Sequence, residues 1–276
     1  DFIDQIFIGS THDYIMFVSS EGKAYWIKVH EIPEGTRYSK GTHVKSLLAI
    51  TANEEITAVV ALQDFTEDTF VFMATSKGVV KKVATDNFSN ARARGIIAIK
   101  LDDGDKLVTA MLTNGDQHLL LMTREGHALR MQEGQVRPMG RATRGVQGIR
   151  LGASDELAGV VAVRDEESAL VISEYGYGKR MAYDQFTPHG RGTKGQIGYT
   201  VTQRTGEVVG LLSVKEGDDM VVMTAQGNTV KLELDQIPAY GRQASGVRIV
   251  NIESPDFVVG IARSAAEDAD EDEAEQ

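Results

Sequence analysis

Gly140-Arg141-Ala142-Thr143-Arg144-Gly145 is a short basic loop bounded by glycines, and it recurs. Gly190-Arg191-Gly192-Thr193-Lys194-Gly195 has the same form, and Gly241-Arg242-Gln243-Ala244-Ser245-Gly246 replaces the second cation with serine. Thr36-Arg37-Tyr38-Ser39-Lys40-Gly41 is an earlier copy, and Asn90-Ala91-Arg92-Ala93-Arg94-Gly95 a drifted one with its first cation moved by a position. The closing glycines Gly41, Gly95, Gly145, Gly195 and Gly246 return about every fifty residues. A fixed period of that size marks a repeat architecture and outranks any local reading of secondary structure.

Working outward from the loops, the surrounding chain consists of short β-branched and aromatic runs between turn residues. Tyr14 to Val18 and Ala24 to Val29 flank Gly22, and Val44 to Ile50 reads as a fourth strand. The other second strands are Phe70 to Ala74, Leu119 to Thr123, Ala169 to Ser173 and Met220 to Thr224, followed by Gly78, Gly126, Gly176 and Gly227. Glycine at these points supplies the positive φ that tight hairpin turns often need. From turn glycine to closing glycine the separation is nearly fixed, at 19, 17, 19, 19 and 19 residues. Pro33, Pro138, Pro188 and Pro238 lie just before basic loops, where a fixed φ can steer the chain out of a strand.

First strands are expected at 2–8, 55–60, 106–111, 156–161, 207–212 and 257–262, six against five copies of the rest. The reading is therefore all-β: a propeller-like disc of four-stranded blades, five complete repeats plus one extra strand, the sixth blade incomplete. A missing unit upstream would make the chain a fragment of a longer protein. The propeller signatures Gly-His and Trp-Asp are not in register, and Trp26 is the lone tryptophan.

Composition narrows the partners. With no cysteine, disulfides and thiolate metal sites are excluded, which fits a cytoplasmic location. No apolar run approaches the ~18 residues of a membrane helix, so a membrane partner is not expected. The net charge is −11, yet seven acids lie in residues 267–276, which leaves −4 for the rest. Residues 264–276 are too polar to pack and are expected to form a disordered acidic tail behind a domain spanning 1–263. A mildly acidic body with its arginines collected in one class of loop can still carry a positive stripe.

No catalytic constellation is found. The six histidines show no metal-ligand spacing, no phosphate-binding loop of the Gly-x-x-x-x-Gly-Lys type occurs, and no polar set is recognised that would converge on a central channel. Asp102-Asp103 and Asp218-Asp219 read as solvated turn acids. The cations stand in three registers. Arg37, Arg141, Arg191 and Arg242 lie four before the closing glycine, with Arg92 displaced by one. Lys40, Arg94, Arg144 and Lys194 lie just before it. Lys82, Arg130, Arg180 and Lys231 lie four after the turn glycine, where Trp26 interrupts the set. A radial repeat brings equivalent positions to a common rim, so these residues are expected to form a belt. Spaced cations with few aromatics and no base-reading helix suit the backbone of bent duplex DNA better than a stacking groove for single strands.

Several segments resemble the C-terminal domain of the DNA gyrase A subunit. They include Thr11-His12-Asp13-Tyr14-Ile15, Val29-His30-Glu31-Ile32-Pro33-Glu34, Phe72 to Thr75 with Gly78-Val79-Val80-Lys81-Lys82, Gly145-Val146-Gln147-Gly148-Ile149-Arg150-Leu151, and Tyr177-Gly178-Lys179-Arg180. The resemblance covers essentially residues 1–263. It implies a β-pinwheel whose blades exchange a strand, and a rim that wraps duplex DNA without sequence preference. It also implies a role in ATP-dependent negative supercoiling by a whole type II topoisomerase. One partner would be the breakage–reunion domain of the A subunit, which supplies the catalytic tyrosine. The other would be the B subunit, which supplies the ATPase with its magnesium. No cofactor is expected in this domain. The family's basic Gln-Arg-Arg-Gly-Gly-Lys-Gly box has no full match, and the loop from Gly190 to Gly195 is its nearest relative. The alternatives are the homologous domain of topoisomerase IV and a protein-interaction propeller.

Overall fold

The computed structural model describes residues 9–36 and 39–264. The expected strand at 2–8, Arg37 and the tail from residue 265 lie outside the described residues. Within them the chain is built from five hairpins: Tyr14–Ser19 with Lys23–Lys28, Phe70–Thr75 with Val79–Ala84, His118–Thr123 with His127–Gln132, Ser168–Ser173 with Tyr177–Ala182, and Asp219–Thr224 with Thr229–Glu233. Each seeds one antiparallel sheet, a blade.

The strand that follows a hairpin in sequence pairs with that hairpin's first strand, so Ile56–Leu62 belongs to the first blade and Val258–Ser264 to the fifth. The extra strand of the sequence reading thus belongs to the fifth blade. On its other edge each of the first four hairpins receives a two-residue strand from the next repeat. Ile96–Ile97 joins the first blade, Val146–Gln147 the second, Gln196–Ile197 the third and Val247–Arg248 the fourth. The strand exchange is therefore real and occurs through these short segments. The fifth sheet has three strands among the described residues.

One expectation fails. Val44 to Ile50 forms no strand; Val44–Ser46 is a 3-10 turn and Leu48 is buried beside Tyr25 and Ile27. The equivalent segments in later repeats become strands by pairing with the preceding hairpin, and among the described residues this first copy has no such edge to join.

The five inner strands surround one cavity of about 350 Å3, lined at the same strand position by Thr57, Val108, Ala158, Val209 and Val259. That common contribution is the radial arrangement expressed in residues. Consecutive blades are stapled there. The amides of Leu107, Leu157, Val208 and Val258 donate to the carbonyls of Ser20, Ser76, Arg124 and Glu174 at 2.8–2.9 Å. The core lies between blades, where Met16 and Trp26 of the first pack with Val71, Met73, Val83 and Phe88 of the second. Because the blades are covered on both faces, the first hairpin strands at 70–75, 118–123 and 168–173 bury every residue but the first. Their continuous apolar runs follow from this double burial rather than from alternation.

Candidate nucleic-acid interface

Each of the last four basic loops precedes one of the short outer strands, so strand exchange carries the loop onto the outer edge of the preceding blade. Close packing fixes it there. A Cβ on Gly145 would lie 2.2 Å from the Val80 carbonyl oxygen, and one on Gly195 2.1 Å from that of Ala128. Only glycine allows that approach. Three residues past the closing glycines, the amides of Ala98, Gly148, Gly198 and Ile249 donate at 2.8 Å to the carbonyls of the hairpin glycines Gly22, Gly78, Gly126 and Gly176. The contact joins each hairpin glycine to the loop of the next repeat, so both glycines recur once per repeat. Within the loop, the hydroxyls of Thr143 and Thr193 donate to the carbonyls of Gly140 and Gly190 at 2.8 Å, tightening the turn.

Three of the first-register arginines adopt one geometry. Arg141 Nη1 donates to the carbonyl of Ile97 at 3.1 Å, Arg191 Nη1 to Gln147 at 3.2 Å and Arg242 Nη1 to Ile197 at 2.8 Å. A guanidinium has five N–H donors, so this one bond orients the group and leaves further donors for a ligand; Arg191 is exposed, and Arg141 and Arg242 are half-buried. Arg92, Arg94, Lys40 and Lys194 are exposed. Arg92 has a left-handed backbone, φ 44°, consistent with the drift of its loop from the common pattern. Arg144 makes a two-point ion pair with Asp102, its Nε 2.8 Å from Oδ1 and its Nη2 2.8 Å from Oδ2. The hydrogen bond from Arg144 holds the Asp102 carboxyl below the usual carboxylate range. The turn acids are thus partnered rather than merely solvated: Asp218 receives Arg263 Nε at 2.9 Å, and Asp219 pairs with Lys231 at 2.8 Å.

The third register is placed differently. Lys82 is buried and donates to the Glu133 carbonyl, Arg130 Nη1 donates to that of Tyr183 at 2.9 Å, and Arg180 Nε to that of Ile237 at 2.6 Å. Each of these cations ties its own blade to the 3-10 turn region of the next. Trp26, which breaks the pattern by residue type, keeps it by chemistry, since its indole N–H donates to the Phe88 carbonyl at 2.8 Å.

Two features escaped the sequence reading. Polar groups do converge on the hub, where Arg124 Nε lies 2.7 Å from Glu207 and its Nη2 3.4 Å from Glu174. Their signal was weak because the partners are separated by 83 and 50 residues. Lys81 and Lys179 are fully buried beneath two of the basic loops. One possible ligand cluster, Glu125, His127 and Asp155, has its donor atoms within 4.8 Å of one another. Asp155 Oδ1 already accepts the amides of Glu125 and Glu156, as Asp105 Oδ1 accepts those of Lys77 and Lys106, so this carboxylate is a recurring turn staple.

Shared strands, a common hub and in-register basic loops define a radial β-repeat protein of the propeller class. The family described as "DNA gyrase C-terminal domain, beta-propeller" matches five times, at residues 13–63, 69–114, 117–164, 167–215 and 218–265, and the chain belongs to it. The matched segments begin at the hairpins, in step with the blades. The chain is 60% identical over 262 residues to the DNA gyrase A subunit of Treponema pallidum, covering 95% of this chain and 32% of that protein. It is 39% identical over 273 residues to the DNA gyrase A subunit of Salmonella typhimurium, covering 99% and 31%. It therefore spans about a third of the length of these curated relatives. A solved DNA gyrase A C-terminal domain superposes with a TM-score of 0.80 at 26% identity, over 92% of this chain and 83% of that one. A C-terminal domain of DNA topoisomerase IV gives 0.85 at 23%, over 93% and 80%, a likeness of fold.

Proposed function

We propose that this domain binds duplex DNA through the outer loops, without sequence preference, and bends it around the disc. The observation that carries the reading is the shared posture of Arg141, Arg191 and Arg242, each held by one N–H on the preceding repeat, which leaves further donors for a ligand. Equivalent cations at repeat spacing, carried on loops rather than on a base-reading helix among the described residues, match backbone contacts that position DNA without reading it. Lys40, Arg92, Arg94, Arg144 and Lys194 extend the belt, with Arg37 at the same register of the first loop. Lys82, Arg130 and Arg180 brace it from between the blades, and Lys231 stands at the corresponding position of the fifth.

In the whole enzyme this wrapping supports ATP-dependent negative supercoiling of cytoplasmic DNA. The protein partners there are the B subunit, with its ATPase, together with the breakage–reunion domain of the A subunit. The gyrase reading is favoured over topoisomerase IV by the sequence relatives, whereas the topoisomerase IV likeness rests on fold. The test is duplex affinity against salt for Arg141→Glu, Arg191→Glu and Arg242→Glu. Each lost phosphate contact flattens the slope of log K against log salt by roughly 0.9. Unchanged affinity and slope in the triple variant would refute the reading. Ligating nicked plasmid on the domain then reports, through its linking number, whether the bound DNA is wrapped with one hand.

A further inference from the structure

The four described loops that reach a preceding blade do not rest on the same kind of seat. Three residues past the hairpin glycine, the second hairpin strand presents Tyr25, Lys81, Leu129 or Lys179 to the loop above it. All four are buried. Tyr25 and Leu129 are ordinary seats: the Tyr25 hydroxyl donates to Glu54 at 2.6 Å, and Leu129 packs in the apolar core. The other two are cations. Lys81 Nζ donates to the carbonyls of Ala98 at 2.9 Å and Thr143 at 2.8 Å, and also to that of Arg141. Lys179 Nζ donates to those of Gly241 at 2.8 Å and Arg242 at 2.7 Å, and lies 5.4 Å from the centre of the Tyr199 ring.

No carboxylate lies within ion-pair distance of either ammonium among the described residues. Burying an ammonium costs several kcal/mol before compensation, and here carbonyl dipoles and a ring face are the partners. The charged group facing Lys81 is Arg141, and the one facing Lys179 is Arg242; each repels the ammonium beneath it. Leu129 shows that a loop of this form is seated without a buried charge. An anion on the loop relieves the repulsion between the two cations and makes the buried one favourable.

We propose that Lys81 and Lys179 are positioning residues for phosphate binding, each a buried cation that orders the basic loop above it and adds its charge to that loop's site. The inference rests on the DNA-binding reading. It makes the belt unequal: loops 140–145 and 241–246 are the stronger phosphate sites, alternating with 90–95 and 190–195. Burial pushes Lys81 down to about 8 and Lys179 down to about 7, and the facing arginines add to the fall. Both lysines therefore lose their protons in a range where ordinary lysines and arginines keep theirs.

The experiment measures affinity for a linear random-sequence duplex between about pH 7 and 9, for the unsubstituted domain and for Lys81→Met, Lys179→Met and the double variant. Unsubstituted affinity is expected to fall across this range, and the double variant to be weaker at pH 7 with a flat profile. Each single change is expected to cost about eightfold at 0.1 M salt, the counterion-release factor for one phosphate, with a salt slope shallower by roughly 0.9. A purely structural role would lower affinity without altering the pH profile. The unsubstituted profile needs no variant to fold, and a flat one overturns the proposal. If Arg141→Glu and Arg242→Glu weaken binding while the lysine variants match the parent in affinity and pH profile, the inference fails alone. If the arginine changes also have no effect, the DNA-binding reading fails with it.

Discussion

Trp26 and Phe88 are joined by a hydrogen bond of 2.8 Å from indole N–H to backbone carbonyl, the first of a series that Lys82, Arg130 and Arg180 continue round the disc. The position demands a long side chain ending in an N–H, not a charge. At the first interface the indole also packs edge-on against Tyr14, with ring centres 5.0 Å apart.

Trp26→Phe keeps much of the apolar surface and removes the donor, leaving the Phe88 carbonyl without its indole partner. That carbonyl keeps the Ala91 amide at 2.9 Å, so the loss is that of one hydrogen bond, about 0.5–1.5 kcal/mol. The expected result is a lower urea midpoint with an unchanged salt slope for DNA binding. A slope that changed as well would mean that this series reaches the DNA-binding rim.

The closing glycines make a paired test. At Gly195 φ is +74° and a Cβ would lie 2.1 Å from the Ala128 carbonyl oxygen, whereas at Gly41 nothing lies within 4 Å. Gly195→Ala is expected to destabilise by more than ~1 kcal/mol, from backbone strain and displacement of the loop. Gly41→Ala, free of both, is expected to stay within about 0.5 kcal/mol of the parent. Thermal unfolding of the two variants decides it, and equal losses would remove the packing explanation for the repeated glycine.

The repeat period was legible because one contact, closing glycine on the hairpin of the preceding blade, imposes the same residue type once in every repeat it joins. The loop cations were legible for the same reason: Arg141, Arg191 and Arg242 ride on that contact. Burial of charge was not. Lys82 reads as a rim cation, yet the next blade buries it, and the loop of the next repeat buries its neighbour Lys81; both covers come from distant sequence. Strand phase was obscured for a related cause. A run such as Ile56–Leu62 carries no mark of which hairpin it will join, and the hub bonds that decide it are long-range.

Lys179 gives stability a pH dependence opposite in sign to that of DNA affinity. Its folded value is lowered from 10.5 to about 7 by burial and by Arg242. Below that value both folded and unfolded chains carry the proton, and the folded one bears the full cost of the buried charge. Between about 7 and 10.5 the folded protein releases the proton while the unfolded chain keeps it. Stability contributed by this group therefore rises with pH through the window. Urea midpoints across the range should climb for the parent and less for Lys179→Met. Parallel curves would show that the ammonium titrates alike in both states.

Asp102 restrains one of the belt's cations. Its carboxylate takes Arg144 Nε at 2.8 and 2.9 Å and Nη2 at 2.8 Å, with both side chains substantially exposed. An exposed pair of this kind adds little to folding, but it neutralises a guanidinium at the lip of loop 140–145 and occupies two of its faces. Asp102→Asn removes the charge while keeping an oxygen that can accept one of those bonds. Arg144 is then released toward a phosphate, and a nearby acid that repels DNA is lost. The expected outcome is a gain in duplex affinity of up to about eightfold at 0.1 M salt, with a salt slope steeper by roughly 0.9 and an unchanged urea midpoint. The control is the same substitution on an Arg144→Ala background, where the slope should no longer steepen. If Asp102→Asn instead weakens binding, the carboxylate serves to aim Arg144 at the DNA rather than to hold it back, and this prediction is wrong.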